Sequence, residues 1–388
     1  MSIGKEMKVL ILGGDGYLGW PTALYLSKRH WDVVVVDSYL RRKIMRDHDV
    51  QPLFLYPELP SRIAYWNRHT GYHIKEYIGD LSSSQFVNSI FSVEKPDVIV
   101  HFAEQPSAPY SMLNQECAML TLTNNLVVTS NVLFGIYENC PDAHLIKLGT
   151  MGEYGTPNID IEEGWIDIEH QGRSDRFLFP RQGGSLYHTT KIMDTDLIWF
   201  YVRMWSLRVT DLMQGPVYGI STEEISVDET LGTFFSYDEL FGTVLNRFMA
   251  QAVVGHPLTI YGKGQQSRGF LNLVDTVKCI GIAMEKPADR GELRILNQFT
   301  ETFSVNELAE KIIDVASKFK CNVRIAHRPN PRVEAEDHYY NPKNTNLLDL
   351  GLRPKLLTED VLAEIFELVW RARSNVDPTK FELGVKWR

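Results

Sequence analysis

Tyr187 and Lys191 stand four residues apart in the string YHTTK, a spacing that on a helix turns both side chains to one face. An ammonium so placed lowers the pKa of the phenol, and a tyrosine ionised near neutral pH can take a proton from a sugar hydroxyl. Thr150 ends a strand-like run through Leu148, and its hydroxyl can share the proton of the same alcohol. Thr150, Tyr187 and Lys191 therefore form a candidate site for oxidising an alcohol.

Such a site needs a hydride acceptor, and the N-terminus offers a place for one. Gly13, Gly16 and Gly19 form GxxGxxG directly after the apolar run Lys8 to Leu12. Glycines there let the backbone turn tightly and approach a pyrophosphate whose charge is met by the next helix N-terminus. Gly14, Asp15, Tyr17 and Leu18 complete the loop. Asp37 closes the second strand 18 residues after Gly19; its carboxylate can accept from both adenosine ribose hydroxyls and would repel a 2′-phosphate, which favours NAD over NADP. Arg41 and Arg42 follow, as phosphate ligands or as solvated loop cations. Asp80 ends the string IKEYIGD, placed either to meet the adenine or to cap a loop. Lys191 has a second use in this scheme, holding the nicotinamide ribose.

Short apolar runs alternating with longer helical stretches must position these groups. Strands are expected at 8–12, 32–37, 73–78, 97–102, 144–148 and 208–212, and helices at 20–28, 83–91, 119–139 and 185–201. That rhythm predicts an α/β protein, a Rossmann-type doubly wound parallel sheet covered on both faces. It breaks near Gly215, at a polar, acidic stretch from Ser221 to Asp238, after which a helix is expected at 242–254. The division is a cofactor domain over 1–215 and a smaller C-terminal substrate lobe over 216–388. Segments near 271–297 are expected to return to the first domain.

The 388 residues, 44% apolar and 11% aromatic, suffice for a large core. A net charge of −9 argues against a nucleic-acid surface. Cys117, Cys140, Cys279 and Cys321 lack paired spacing, which suggests neither a metal site nor a disulfide framework and fits a reducing compartment. Apolar runs such as VLIL and VVVV fall far short of the roughly 20 residues of a membrane helix. The start MSIGKEMKVLIL enters a strand almost at once and shows no targeting segment. A cytoplasmic location away from membranes is expected.

Taken together, these motifs resemble the extended short-chain dehydrogenase/reductases that act on nucleotide sugars. The strings HFAEQPSAPYSM, KLGTMGEYGTPNIDIEEG, YGKGQQSRGFLNLVDTV, NQFTETFSVNEL and NPRVEAEDHYYNP resemble one branch of them, the UDP-sulfoquinovose synthases of sulfolipid head-group synthesis. The resemblance implies that UDP-glucose and sulfite become UDP-sulfoquinovose on tightly held NAD, in a homodimer formed through two long helices. It implies oxidation at C4 with Tyr187 as base, loss of water across C5 and C6, addition of sulfite at C6, and return of hydride to C4. The C-terminal lobe then binds the UDP-sugar. Arg268 and Arg332 match the arginines that hold the diphosphate, Gln214 lies beside sugar and diphosphate, Tyr261 flanks the uracil, and Asn246 and Arg247 are further substrate contacts.

Related 4,6-dehydratases carry Asp and Glu after the threonine, where this chain has Met151 and Gly152. Glu153 and His188 are then the nearest titratable groups for the protons at C5 and C6, and Gly152 leaves room for a sulfonate. Plant members carry arginine at the position of Pro106; Arg181, Arg173 or Arg176 would have to stand in. A UDP-glucose 4-epimerase or a dehydratase is the competing enzyme reading, and a non-catalytic NAD sensor the competing class.

Overall fold

Strands Lys8–Leu12 and Asp32–Asp37 are almost wholly aliphatic between their ends, as strands buried on both faces must be. They lie in a seven-stranded parallel sheet in the order Leu293–Gln298, Arg208–Gln214, His144–Thr150, Val98–His101, Lys8–Leu12, Asp32–Asp37, Ile74–Ile78. This is a computed structural model that describes residues 7–332 and 339–385; VEAEDH of the NPRVEAEDHYYNP string lies outside the described residues.

Alternation along each strand sends side chains to two separate cores. Val9, Ile11, Val33 and Val35 meet Trp20, Leu24, Leu273 and Ile280 on one face. Leu10, Leu12, Val34 and Val36 meet Phe91, Val132 and Ile198 on the other. Burying both faces of an aliphatic strand removes roughly 1.5–3 kcal/mol of apolar exposure per large side chain.

The chain leaves the sheet after Gln214 and builds most of a lobe around Phe235, Phe248, Leu308 and Phe366. Helices Val244–Val253, Val305–Lys318 and Glu359–Arg371 pack there beside the parallel pair Leu258–Tyr261 and Ile325–Arg328. Between those pieces it returns. Helix Leu273–Glu285, capped by Asn272, whose Oδ1 accepts from the Val274 N–H at 2.9 Å, leads to Leu293–Gln298 at the sheet edge.

Two helices, Leu40–Asp47 and Leu59–Thr70, stand where the sequence showed no element between the second and third strands. The first is mostly charged and buries only Ile44 and Met45. The second starts with Pro60 in its first turn, a residue that reads as a loop signal but is tolerated there. Helix Gln115–Asn139 is long and apolar enough, by length and composition alone, to cross a bilayer, a property the short unbroken runs concealed. It packs beside helices Ser84–Glu94 and Leu186–Trp205.

Candidate active site

A cleft of about 690 Å³ opens where the strands Lys8–Leu12, His144–Thr150 and Arg208–Gln214 end, and the lobe forms its far wall. Parallel sheets bind ligands at this edge because the helix N-termini and flexible loops gather there. Gly13, Gly16, Tyr17, Leu18 and Gly19 line its floor. Gly13 holds φ at +89°, and a Cβ there would stand 2.9 Å from the Phe102 carbonyl carbon. A Cβ at Gly19 would come within 2.0 Å of the Gly13 oxygen. The turn therefore exists only with glycine, and it presents bare backbone where a pyrophosphate fits.

The rest of the loop corrects the sequence reading. Gly14 does not line the cleft; its α-carbon packs on Val35, where a Cβ would lie 2.6 Å from the valine Cβ. Asp15 is buried away from the cleft, its carboxylate bonded by Arg42 at 2.6 and 2.9 Å and by Arg62. Arg42 is thus committed to Asp15 rather than to a phosphate. Arg62, which the sequence did not reveal, is fully buried 4.6 Å from the Trp20 ring. Asp37 and Arg41 do line the cleft. Asp37 accepts the N–H groups of Asp15 (2.8 Å) and Tyr39 (2.7 Å); burial, and then the Asp15 carboxylate, push its pKa up to about 6. Arg41 donates to Ser236 at 3.0 Å and lies between the rings of Phe234 and Phe241. Asp80 lines the cleft while accepting the Ser82 N–H at 2.8 Å, so both of its expected uses remain compatible.

Helix Leu186–Trp205 carries Tyr187 and Lys191 and is capped by Ser185, whose hydroxyl accepts the His188 N–H at 3.1 Å. Tyr187, His188 and Thr150 all line the cleft, whereas Lys191 lies just beneath it. The Lys191 ammonium donates to the Leu148 carbonyl at 2.6 Å and pairs with Glu104 at 2.7 Å, 5.8 Å from the Tyr187 ring centre. Burial, and next the Glu104 carboxylate, raise the Tyr187 pKa, while Lys147 opposes them. In this state Glu104 offsets the activating charge that the sequence assigned to Lys191.

Glu153 is not an acid or base facing the sugar. It is fully buried, does not line the cleft, and accepts the Thr150 N–H at 3.1 Å and the Thr195 hydroxyl at 3.2 Å. Together with the Thr150 hydroxyl, which accepts the Gly152 N–H at 3.2 Å, it forms a capping box that fixes Thr150. Burial, and then the Asp211 carboxylate, push its pKa up to about 7.

The space beside Gly152 is not vacant for a sulfonate either: a Cβ there would stand 2.4 Å from Nε2 of His188. Pro106 lines the cleft, but none of its three proposed substitutes does. Arg181 pairs with Asp196 and, at 3.7 Å, with Glu153; Arg173 and Arg176 sit exposed on the hairpin Trp165–His170 and Arg173–Leu178.

On the lobe side Gln214, Tyr261, Arg268, Arg332, Asn246 and Arg247 all line the cleft. Gln214 donates to Gln298 at 3.1 Å, and the Arg247 guanidinium lies 5.5 Å from the Tyr261 ring centre. Three arginines beside an aromatic ring suit a diphosphate attached to a flat base.

The profile of the NAD dependent epimerase/dehydratase family matches residues 9–297. The UDP-sulfoquinovose synthase of Spinacia oleracea chloroplasts is 47% identical over 381 residues, 98% of this chain and 79% of that protein. The UDP-sulfoquinovose synthase of Sulfolobus acidocaldarius is 45% identical, over 94% of this chain and 93% of that one. The chain belongs to the UDP-sulfoquinovose synthase family. Among solved structures, the fold is shared with UDP-glucose 4-epimerases from Thermotoga maritima (TM-score 0.69, 19% identical, covering 95% of this chain and 99% of that one) and Bifidobacterium longum (0.70, 20%, 97% and 100%).

As a UDP-sulfoquinovose synthase family member the protein is an NAD-dependent enzyme, and the glycine cradle and Asp37 are the cleft-lining groups that fit NAD, whereas Lys191, held by the Leu148 carbonyl and Glu104, stays beneath the cleft. What the sequence missed in this site is Glu104 and Lys147. A lysine inside HLIKLGT and a glutamate after HFA are polar residues in otherwise apolar strings, the one signal that was there to find.

Proposed function

We propose that this chain converts UDP-glucose and sulfite into UDP-sulfoquinovose, releasing water. The observation that carries the reading is local: Met151 and Gly152 replace the dehydratase acid–base pair, and the His188 imidazole fills the space beside Gly152 on the wall holding Thr150 and Tyr187.

Tyr187 takes the proton of the sugar 4-hydroxyl, with Thr150 sharing the hydrogen bond. Held at the glycine cradle and Asp37, NAD would supply a reversible hydride acceptor for C4, so no second redox substrate would be consumed. The 4-ketone acidifies the C5 hydrogen. His188, the titratable side chain next to Tyr187, takes that proton and delivers it to the departing C6 hydroxyl. Bisulfite, the protonated form of sulfite, adds its sulfur lone pair to C6 of the enone and gives up its proton through His188 to C5; the hydride returned to C4 and the proton held on Tyr187 then restore the alcohol. Arg268 and Arg332 hold the diphosphate, and Tyr261 flanks the uracil.

We also assign a homodimer. Helices Gln115–Asn139 and Leu186–Trp205 lie side by side and expose Phe134, Tyr137, Met193, Phe200 and Met204 around the ring cluster of Tyr201 and Trp205. A second copy of the same pair covers such a face symmetrically. A reducing, cytoplasm-like compartment fits four cysteines that form no disulfide among the described residues.

The deciding experiment is incubation with UDP-glucose, with and without sulfite, read by mass spectrometry. A UDP-sugar gaining a sulfonate only with sulfite supports the reading. UDP-galactose or a 4-keto-6-deoxy sugar as the only product overturns it in favour of an epimerase or a dehydratase.

A further inference from the structure

Lys147 sits in the middle of strand His144–Thr150 with 1% of its side chain exposed. A lysine inside a parallel sheet is costly unless its charge is paired. Its partner is Glu104, at the cleft edge of the loop after strand Val98–His101, whose carboxylate is also buried. One carboxylate oxygen of Glu104 meets the Lys147 ammonium; the other meets Lys191 at 2.7 Å. Both ammonium groups also reach the Leu148 carbonyl, Lys191 at 2.6 Å and Lys147 at 3.4 Å. Lys147 also reaches the buried Asp194 carboxylate at 3.4 Å, so the catalytic lysine belongs to a buried network of alternating charge, Lys191, Glu104, Lys147 and Asp194.

We propose that Glu104 and Lys147 are positioning residues for the Tyr187–Lys191 pair: Glu104 clamps the Lys191 ammonium beneath the cleft, and Lys147 cancels the carboxylate charge that would otherwise hold the proton on Tyr187. The clamp is needed because a lysine side chain has many rotamers and loses little by swinging away. A lone carboxylate would supply it at the wrong sign, since at low dielectric a negative charge next to a phenol opposes ionisation. The second cation solves that conflict without entering the cleft.

The charged surroundings are consistent with this division. Around Tyr187 stand Lys191, Asp194 and His188 from its own helix, the His188 ring 5.4 Å from the phenol ring, with Glu104 from the neighbouring strand end, Lys147 from the next strand and Glu153 from the loop after it; His101 lies behind Glu104, Asp211 behind Thr195 and Arg181 behind Glu153. Burial first, then Glu104 and after it Glu153 and Asp194, raise the Tyr187 pKa, and Lys147 lowers it. His101 is buried and stays neutral, its pKa pushed down to about 3 chiefly by burial. Glu104 itself remains ionised: burial works against it, but Lys147 and Lys191 hold its pKa down at about 2.

The test uses three variants of the full chain: Glu104→Gln, Lys147→Met and the two together. The first readout is the pH dependence of single-turnover NADH absorbance after adding UDP-glucose without sulfite, which rests on the reaction proposed above. The second is independent of it: a tyrosinate ultraviolet titration of the substrate-free protein, each variant compared with its own Tyr187→Phe partner. The limb of the rate profile that requires ionised Tyr187 moves to lower pH by a unit or more in Glu104→Gln and to higher pH in Lys147→Met, and the double variant returns toward wild type. The titration shows Tyr187 ionising at lower pH in Glu104→Gln than in wild type. Limbs and titrations unmoved in all variants, or both single variants shifting the same way, overturn the proposal. Should Lys147→Met fail to fold, the neutral double variant and Glu104→Gln still decide it. Absence of NADH in wild type removes the functional reading alone, because the titration still reports on Glu104.

Discussion

The imidazole of His188 fills the place a side chain at Gly152 would occupy, with Nε2 only 2.4 Å from a Cβ built there. The glycine is therefore a steric permission for the histidine. Gly152→Ala pushes the ring aside, and we expect oxidation at C4 to survive while sulfonate formation falls at least about tenfold, matching His188→Asn. The two half-reactions are separable by NADH absorbance without sulfite and product mass with it. Equal loss of both in Gly152→Ala would refute the assignment of the ring to C5 and C6.

Tyr187→Phe removes the base but keeps the ring. We expect turnover to fall by about 10²-fold or more with NAD still bound, since the phenol faces the cleft and the cradle is untouched. The checks are turnover and the NAD content of the purified variant. A protein without turnover in its wild-type form would instead be a sensor.

The half-buried position of Asp37 gives cofactor binding a pH dependence. Its pKa of about 6 in the NAD-free state leaves the carboxyl mostly neutral below that pH, whereas ribose hydroxyls donate to the ionised form. NAD affinity should rise by up to about tenfold per unit from pH 5 toward 6 and level off above 7. Titration of NAD-stripped protein measures it, and Asp37→Asn should flatten the slope.

Glu153 affects stability more than chemistry. Its folded pKa, about 7, lies above the ordinary 4.5, so its contribution is full below about 4.5 and is lost as pH rises through 7. Glu153→Gln keeps an acceptor for the Thr150 N–H and removes that loss. Its melting temperature should fall less between pH 5 and 8 than that of wild type, by about 2 °C or more, with kcat within about tenfold. A loss as large as that of Tyr187→Phe would restore Glu153 to the chemistry.

Arg268 and Arg332 line the cleft from the lobe side. Replacing either with alanine should weaken UDP binding by about 10- to 100-fold, the worth of a charge-assisted phosphate contact, and raise KM more than it lowers kcat. Calorimetry with UDP tests binding directly.

The strands were legible because burial on both faces writes unbroken aliphatic runs such as VLIL and VVVV, and the cradle because only glycine permits its turn. Tyr187 and Lys191 were legible because four residues are one helical turn. What escaped were partnerships across the sequence. Asp15 faces Arg62 and Arg42 from 47 and 27 residues away, and Glu104 meets Lys147 and Lys191 across the sheet. Such pairs leave no period along the chain. The three arginines offered in place of a residue at Pro106 looked equivalent as loop cations, and only the fold shows each of them turned from the cleft.

The outer strand Leu293–Gln298 joins the sheet only after the chain has made part of the lobe. A fragment ending at Gly215 would present Arg208–Gln214 as a bare edge, open to pairing with other chains. During synthesis the cofactor half waits for some 80 further residues before its sheet is finished. The two halves of the molecule are in this way stitched by covalent order as well as by the cleft they share, and a cut after Gly215 parts the sheet from its last strand.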